Sequence, residues 1–134
     1  MKIVLDPNVL VSGLLSPYTK SADILRLVIS GPVRLCVDAR ILAEYRELLD
    51  CPKFQFDPGR IEILLDYLHR ISIPVISALL RNSLPDPGDI PFLEVAVSGG
   101  ARYLITGNVR HFPLQDELVQ IVTPAAFLED YRNT

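Results

Sequence analysis

The chain has 134 residues, 49% of them hydrophobic and 22% charged, proportions that fit one globular domain and exclude a disordered, collagen-like or highly charged tail. Thirteen Lys and Arg against sixteen Asp and Glu leave a formal net charge of −3, with a pI near 5.3 and a mean hydropathy of +0.30. That balance excludes a module that grips nucleic acid by phosphate neutralisation alone. A nuclease survives the test, because clustered carboxylates lower the pI and stop repelling a substrate once they hold a metal ion. Cys36 and Cys51 are too few for a disulfide framework or a zinc site and read as small packing residues, so a reducing cytoplasm is the expected compartment. No uncharged stretch reaches the ~20 residues of a membrane span, and no leader is expected before Met1.

Ile3-Val4-Leu5 is a short apolar run of the kind found in strands buried on both faces. Asp6-Pro7 ends it, with Pro suited to a first helical turn and Asp to a cap, and predicts a helix to about Leu15. Ser21 to Ser30 reads as a second helix stopped by Gly31-Pro32. Val33 to Val37 is the next strand, and Asp38 caps a helix from Ala39 to Leu49. Cys51 to Phe56 is a connection. Asp57-Pro58 opens a helix to about Arg70, with Ile61, Leu64, Leu65 and Leu68 on one face. Ile71 to Ile76 is irregular or strand-like and broken at Pro74. Asp86-Pro87 opens a helix that stops at Gly99-Gly100. Arg102 to Thr106 and Val119 to Val122 are strands, and Thr123-Pro124 starts a closing helix to about Tyr131. No repeat or flexible linker divides the chain, so residues 1–134 are expected to form a single domain. Short apolar strands alternating with amphipathic helices predict a parallel sheet, and right-handed crossovers make it a three-layer α/β/α domain with a short central sheet.

Ligands of such sheets gather beyond the carboxyl ends of the strands. Asp6 and the Thr106-Gly107-Asn108 loop fall there. In the helix after Gly88, Asp89 shares the i, i+3, i+4, i+7 stripe with Phe92, Leu93 and Ala96, which turns Asp89 toward the core and Glu94 outward. In the helix after Asp38 the stripe is Ile41, Leu42, Tyr45, Leu48 and Leu49; Glu44 sits at its edge and Glu47 points to water. Glu44 and Asp89 are thus the acids expected against the protein body, where a carboxylate needs a cation, a hydrogen bond or a metal. Plainer readings stand beside this one. Asp6 is equally a helix cap, Asp89 the third-position acid of a cap begun by Asp86, Glu44 a flank residue and Asn108 a turn residue. His69 fits a helix C-terminus, His111 a structural loop position, and Arg60 and Arg70 a solvated face. None of these explains why four oxygen-bearing side chains are destined for one sheet edge.

In its motifs the chain resembles a PIN domain, the ribonuclease fold of VapC-type toxins, and in particular the subgroup described as toxin components of toxin–antitoxin systems. The resemblance runs from Ile3-Val4-Leu5-Asp6-Pro7-Asn8 through Ile41-Leu42-Ala43-Glu44-Tyr45, Pro85-Asp86-Pro87-Gly88-Asp89, Phe92-Leu93-Glu94 and Gly99 to Asn108, and on to His111-Phe112-Pro113 and Thr123-Pro124. It implies a divalent-metal-dependent endoribonuclease. Asp6, Glu44 and Asp89 match the family's first three acidic positions, which hold the Mg²⁺ or Mn²⁺ cofactor, and Asn108 matches the fourth, where many members carry Asp. Asn8 matches a polar residue beside the first acid. Thr106, Arg110 and His111, with Arg102, are candidate RNA contacts, and Asp86 is a candidate helper. Hard oxygen donors are what such cations prefer.

Pro7 and Asn108 depart from the pattern. Pro7 removes a hydroxyl and a backbone N–H near the first acid, and Asn108 removes one charge while keeping a carbonyl oxygen. Weaker metal affinity is the expected consequence. The apolar circumference of the Ser21–Ser30 helix, with Ile63 and Tyr67 opposite their own helix's stripe, reads either as deep core or as a surface for a homodimer or an antitoxin protein helix, partners that the resemblance also implies. Two competing functions remain. One is a PIN-fold RNA- or protein-binding module without turnover. The other is a phosphotransfer enzyme using Asp6 as nucleophile, for which position 8 should be Asp and a later lysine is missing.

Overall fold

The computed structural model describes residues 1–80, 84, 86–112 and 119–133. Five strands and six α-helices are assigned among them: β1 (Lys2–Leu5), α1 (Pro7–Leu15), α2 (Lys20–Ser30), β2 (Arg34–Val37), α3 (Ala39–Leu49), α4 (Pro58–Ile71), β3 (Ile73–Pro74), α5 (Ile90–Ser98), β4 (Tyr103–Ile105), β5 (Gln120–Val122) and α6 (Pro124–Arg132). The expected three-layer α/β/α architecture is present. Most predicted boundaries agree to within a residue or two because the signals that set them are local. Asp6, Asp38, Asp57 and Thr123 each accept a backbone N–H from the first turn of the helix that follows. Gly31 ends α2 in the left-handed region at φ 106°, its N–H donating to the Leu27 carbonyl. The helix predicted from Asp86-Pro87 begins instead as a 3-10 turn over Pro87–Asp89 and becomes α-helical at Ile90.

All pairings in the sheet are parallel, in the order β3-β2-β1-β4-β5. The chain moves outward from β1 through β2 to β3, then returns to the other side of β1 to lay down β4 and β5. The carboxyl ends of β1 and β4 therefore sit side by side where the direction of winding reverses, the usual place for a ligand crevice in an open α/β sheet. Leu5 is in register with Ile105, so the next residues, Asp6 and Thr106, are neighbours. The Asp6 N–H donates to the Ile105 carbonyl at 3.0 Å and continues the ladder to the rim.

Ile3, Val4, Leu5, Leu104 and Ile105 are fully buried, as strands covered on both faces must be. Against the sheet, α5 contacts β1, β2 and β4, and α6 contacts β4 and β5. Helices α1 and α2 approach so closely that a Cβ on Gly13 would lie 2.6 Å from Leu25 Cδ1 and 3.0 Å from the Ser21 carbonyl oxygen. Five residues of α2 are buried, Ser21, Ala22, Ile24, Leu25 and Val28, through contacts with α1 and α6; the deep-core reading therefore accounts for much of its apolar circumference. Tyr67, expected on an unpartnered face, donates its hydroxyl to the Ile29 carbonyl at 3.0 Å, while Ile63 is exposed as expected. No helix among the described residues is long and apolar enough to cross a membrane.

Candidate functional site

Beyond the carboxyl edge of β1 and β4 lies a cleft lined by Asp6, Pro7, Asn8, Glu44, Glu47, Leu48, Cys51, Asp86, Gly88, Asp89, Phe92, Asn108 and His111. Five carboxylates line it, Asp6, Glu44, Glu47, Asp86 and Asp89, and no Lys or Arg is among these described lining residues. With Asn108 they come from four separate stretches of chain. Asp6 follows β1, Glu44 and Glu47 project from α3, Asp86 and Asp89 bracket the 3-10 turn before α5, and Asn108 follows β4.

Asp6 is buried and held at both oxygens. Its Oδ1 accepts the Asn8 N–H at 3.0 Å, and its Oδ2 accepts the Thr106 hydroxyl at 2.7 Å. Asp6 is therefore the cap of α1, and the same side chain lines the cleft. Thr106, expected among the substrate contacts, is fully buried, and its hydroxyl serves the carboxylate instead. The same Thr106 Oγ1 accepts the Asn108 N–H at 3.0 Å, so one hydroxyl ties the β4 loop to the β1 loop. Asn108 itself is exposed at the rim, as is Asn8. Below them, the Tyr45 hydroxyl donates to the Leu5 carbonyl at 2.7 Å and fixes the peptide that precedes Asp6. Burial pushes the Tyr45 phenol far above its ordinary range, so it remains a donor.

Asp89 is half-buried in the 3-10 turn rather than in the helical stripe that periodicity predicts. Its carboxyl is raised above the usual carboxylate range, first by desolvation and then by the charges of Asp86 and Asp6, with His111 opposing them. The His111 Nδ1 lies 3.1 Å from Asp89 Oδ2. Ligand-type atoms of Asp86, Asp89 and His111 all fall within 4.8 Å of one another, a spacing that can hold a metal ion. Asp6, Glu44 and Asp89, expected to share a cation, line the same cleft but do not together close to that spacing. Glu44 is exposed rather than held against the protein body, because the edge of the α3 stripe faces the open cleft. His111, expected to meet RNA, turns to Asp89, and Arg110 is exposed on the turn beside it. Arg102 immediately precedes β4, at the opposite end of the strand from the cleft, its guanidinium 5.4 Å from the Tyr103 ring centroid, which removes it as a contact there. The part of the His111-Phe112-Pro113 match at Pro113, and Pro85 before Asp86, lie outside the described residues.

Glu94 overturns another expectation. Predicted to face outward, it is 1% exposed, its Oε1 accepting from Arg40 at 2.7 Å and its Oε2 from the Leu80 N–H at 2.7 Å. A wheel drawn for α5 alone misses this, because the outer side of the helix is covered by residues 75–80 and by the Arg40 side chain.

Comparison with known proteins agrees with this architecture. The family profile described as PIN domain matches residues 2–110. Among solved structures the chain is similar to one described as the crystal structure of VapBC2 from Rickettsia felis bound to a DNA fragment from their promoter, with a TM-score of 0.59 and 12% sequence identity, over 92% of this chain and 98% of that one. At that identity the similarity is one of fold. No curated protein matches the chain.

Proposed function

The chain belongs to the PIN domain family, and from that premise we propose that it is a divalent-metal-dependent endoribonuclease acting as the toxin of a toxin–antitoxin pair. The observation that carries the reading is the accumulation of five carboxylates, from distant stretches of chain, in one cleft at the switch point of the sheet. Like charges so placed repel, and burial, with the charges of Asp86 and Asp6 after it, raises the Asp89 carboxyl above its ordinary range. The donor set fits a hard divalent cation: carboxylate oxygens of Asp6, Asp86 and Asp89, with Glu44 and the Asn108 carbonyl oxygen at the rim. Mg²⁺ or Mn²⁺ bound there supplies Lewis acidity toward a phosphodiester and toward water at neutral pH.

The protein's own groups then divide the remaining work. Thr106 and the Asn8 N–H lock Asp6 in one rotamer, so that no reorganisation is needed when a cation arrives. Tyr45 fixes the strand end beneath it. Asn8, exposed in the lining of the cleft, and Arg110, exposed on the turn next to His111, are the side chains we assign to phosphate oxygens. The antitoxin partner is supported by the resemblance to VapC-type toxins and by the fold shared with a structure described as VapBC2, while the homodimer and the cytoplasmic setting rest on the resemblance alone.

A binding module without turnover is the second reading. Pro7 at the first position of α1 offers no N–H to Asp6, and Asn108 brings no charge, so the cleft is less acidic than the family pattern. The two readings separate in one experiment: single-stranded RNA is incubated with the purified chain in Mn²⁺, alongside Asp6→Asn and Asp89→Asn. Cleavage by the unmodified chain, lost in both variants while circular dichroism is retained, supports the nuclease. Full activity in either variant refutes the site, and no cleavage by any of them, with metal bound, favours the binding module.

A further inference from the structure

We infer that His111 contributes an imidazole nitrogen to the cation held by Asp86 and Asp89, which biases the cleft toward Mn²⁺ and other transition metals over Mg²⁺. The inference deepens the proposed metal-dependent reading and rests on it.

Three observations carry it. Nδ1 of His111 already sits 3.1 Å from Asp89 Oδ2, and the ligand-type atoms of Asp86, Asp89 and His111 are mutually within 4.8 Å, so these three side chains converge without any rearrangement of the backbone. The position of His111 is fixed by its surroundings. It closes a 3-10 turn whose His111 N–H donates to Asn108 and whose Phe112 N–H donates to Val109, and the next side chain, Phe112, is 1% exposed and anchors the turn in the core. Finally, the donors differ along the cleft. Asp6 offers carboxylate oxygens that already accept the Asn8 N–H and the Thr106 hydroxyl, whereas Asp86 and Asp89 stand beside an imidazole nitrogen. First-row transition ions accept an imidazole beside carboxylates, with affinity rising from Mn²⁺ to the later metals, while Mg²⁺ selects oxygen donors and sheds its waters reluctantly. A histidine at this position therefore adds affinity for one class of cation and little for the other.

The test compares Mn²⁺ and Mg²⁺ titrations of the full chain, His111→Ala, His111→Asn and Asp89→Asn by calorimetry, with pulsed electron paramagnetic resonance of the Mn²⁺-loaded proteins. The chain contains two histidines, and the other, His69, stands in the last turn of α4, so His69→Gln serves as the control for nitrogen coupling. The expected result is an imidazole nitrogen coupling to Mn²⁺ that survives His69→Gln and disappears in His111→Ala. Mn²⁺ affinity should fall by roughly tenfold or more in that variant, with Mg²⁺ affinity changed by less than about twofold, the weak demand of Mg²⁺ for nitrogen donors setting that limit. Absence of the coupling, or an equal fall for both metals, would overturn the inference and leave His111 as a residue that only orients Asp89. If Asp89→Asn keeps full metal binding, the metal-dependent reading itself fails, an outcome separate from the first.

Discussion

Two buried or half-buried acids stand five residues apart on the same segment and have opposite surroundings. Glu94 is enclosed, and its charge is met on one oxygen by Arg40 and on the other by the Leu80 N–H. Arg40 also pairs with Asp38, the cap of α3, so a single guanidinium joins the start of α3 to the middle of α5. Asp89 is more exposed, yet the charges that act on it among the described residues are those of Asp86 and Asp6, with His111 opposing them. The contrast teaches where this fold resolves its electrostatics and where it leaves them unresolved. Around Glu94 the charges balance, which suits a structural clasp. Among the described residues of the cleft they do not, and a ligand cation is the means of balancing them that the proposed function supplies.

The largest expected effect comes from breaking the unbalanced side. Asp89→Asn should abolish detectable Mn²⁺ binding by calorimetry, while raising the thermal midpoint of the metal-free protein. The sign follows from linkage: a carboxyl whose folded-state value is raised binds more protons in the folded than in the unfolded chain, so its contribution to stability falls as pH rises from the ordinary carboxylate range through the raised value. Removing the ionised group removes that cost at neutral pH. A site residue whose loss stabilises the empty protein is behaving as a functional group, not as a structural one.

Thr106→Val should act next. It keeps the shape of the side chain but leaves Asp6 with the Asn8 N–H alone, and metal affinity should drop by about 10–100-fold, the usual effect of losing an outer hydrogen bond to a ligand. Titration of the variant with Mn²⁺ measures it. On the balanced side, Arg40→Ala should cost about 2–3 kcal/mol in denaturant unfolding, below the full cost of orphaning a buried charge because Arg40 is itself half-exposed. Mn²⁺ affinity should stay unchanged. The smallest effect is on pH dependence. Mn²⁺ affinity should begin to fall, on acidification, at a higher pH than an ordinary carboxylate would set, and Asp86→Asn should move that fall to lower pH by removing one of the charges that raise Asp89.

How far the sequence reveals this depends on the range of the signal. Asp6-Pro7, Asp38 and Asp57-Pro58 announce helix starts through contacts two or three residues away, and the structure places caps at all of them. Apolar runs such as Ile3-Val4-Leu5 mark buried strands for the same reason. The gathering of Asp6, Glu44, Asp89 and Asn108 at one sheet edge is also legible, because it follows from strand order and from the family pattern. What escapes is set by tertiary cover. Glu94 looks outward on a wheel because nothing in residues 90–98 tells of Arg40 or of the chain at Leu80. Thr106 looks like a ligand contact until the register of β1 with β4 puts it beside Asp6. The alignment of His111 with Asp86 and Asp89 spans 25 residues of sequence and depends on a turn anchored by Phe112, for which periodicity carries no signal.

The most direct measurement is the thermal midpoint of the full chain with and without millimolar Mn²⁺, repeated for an Asp6→Asn/Asp89→Asn double variant. A cation that binds only the folded cleft must raise the midpoint of the unmodified chain, and chelation must reverse the rise. The account predicts that rise, and its absence in the double variant. A midpoint indifferent to Mn²⁺ in the unmodified chain, or an equal rise in both proteins, would contradict it.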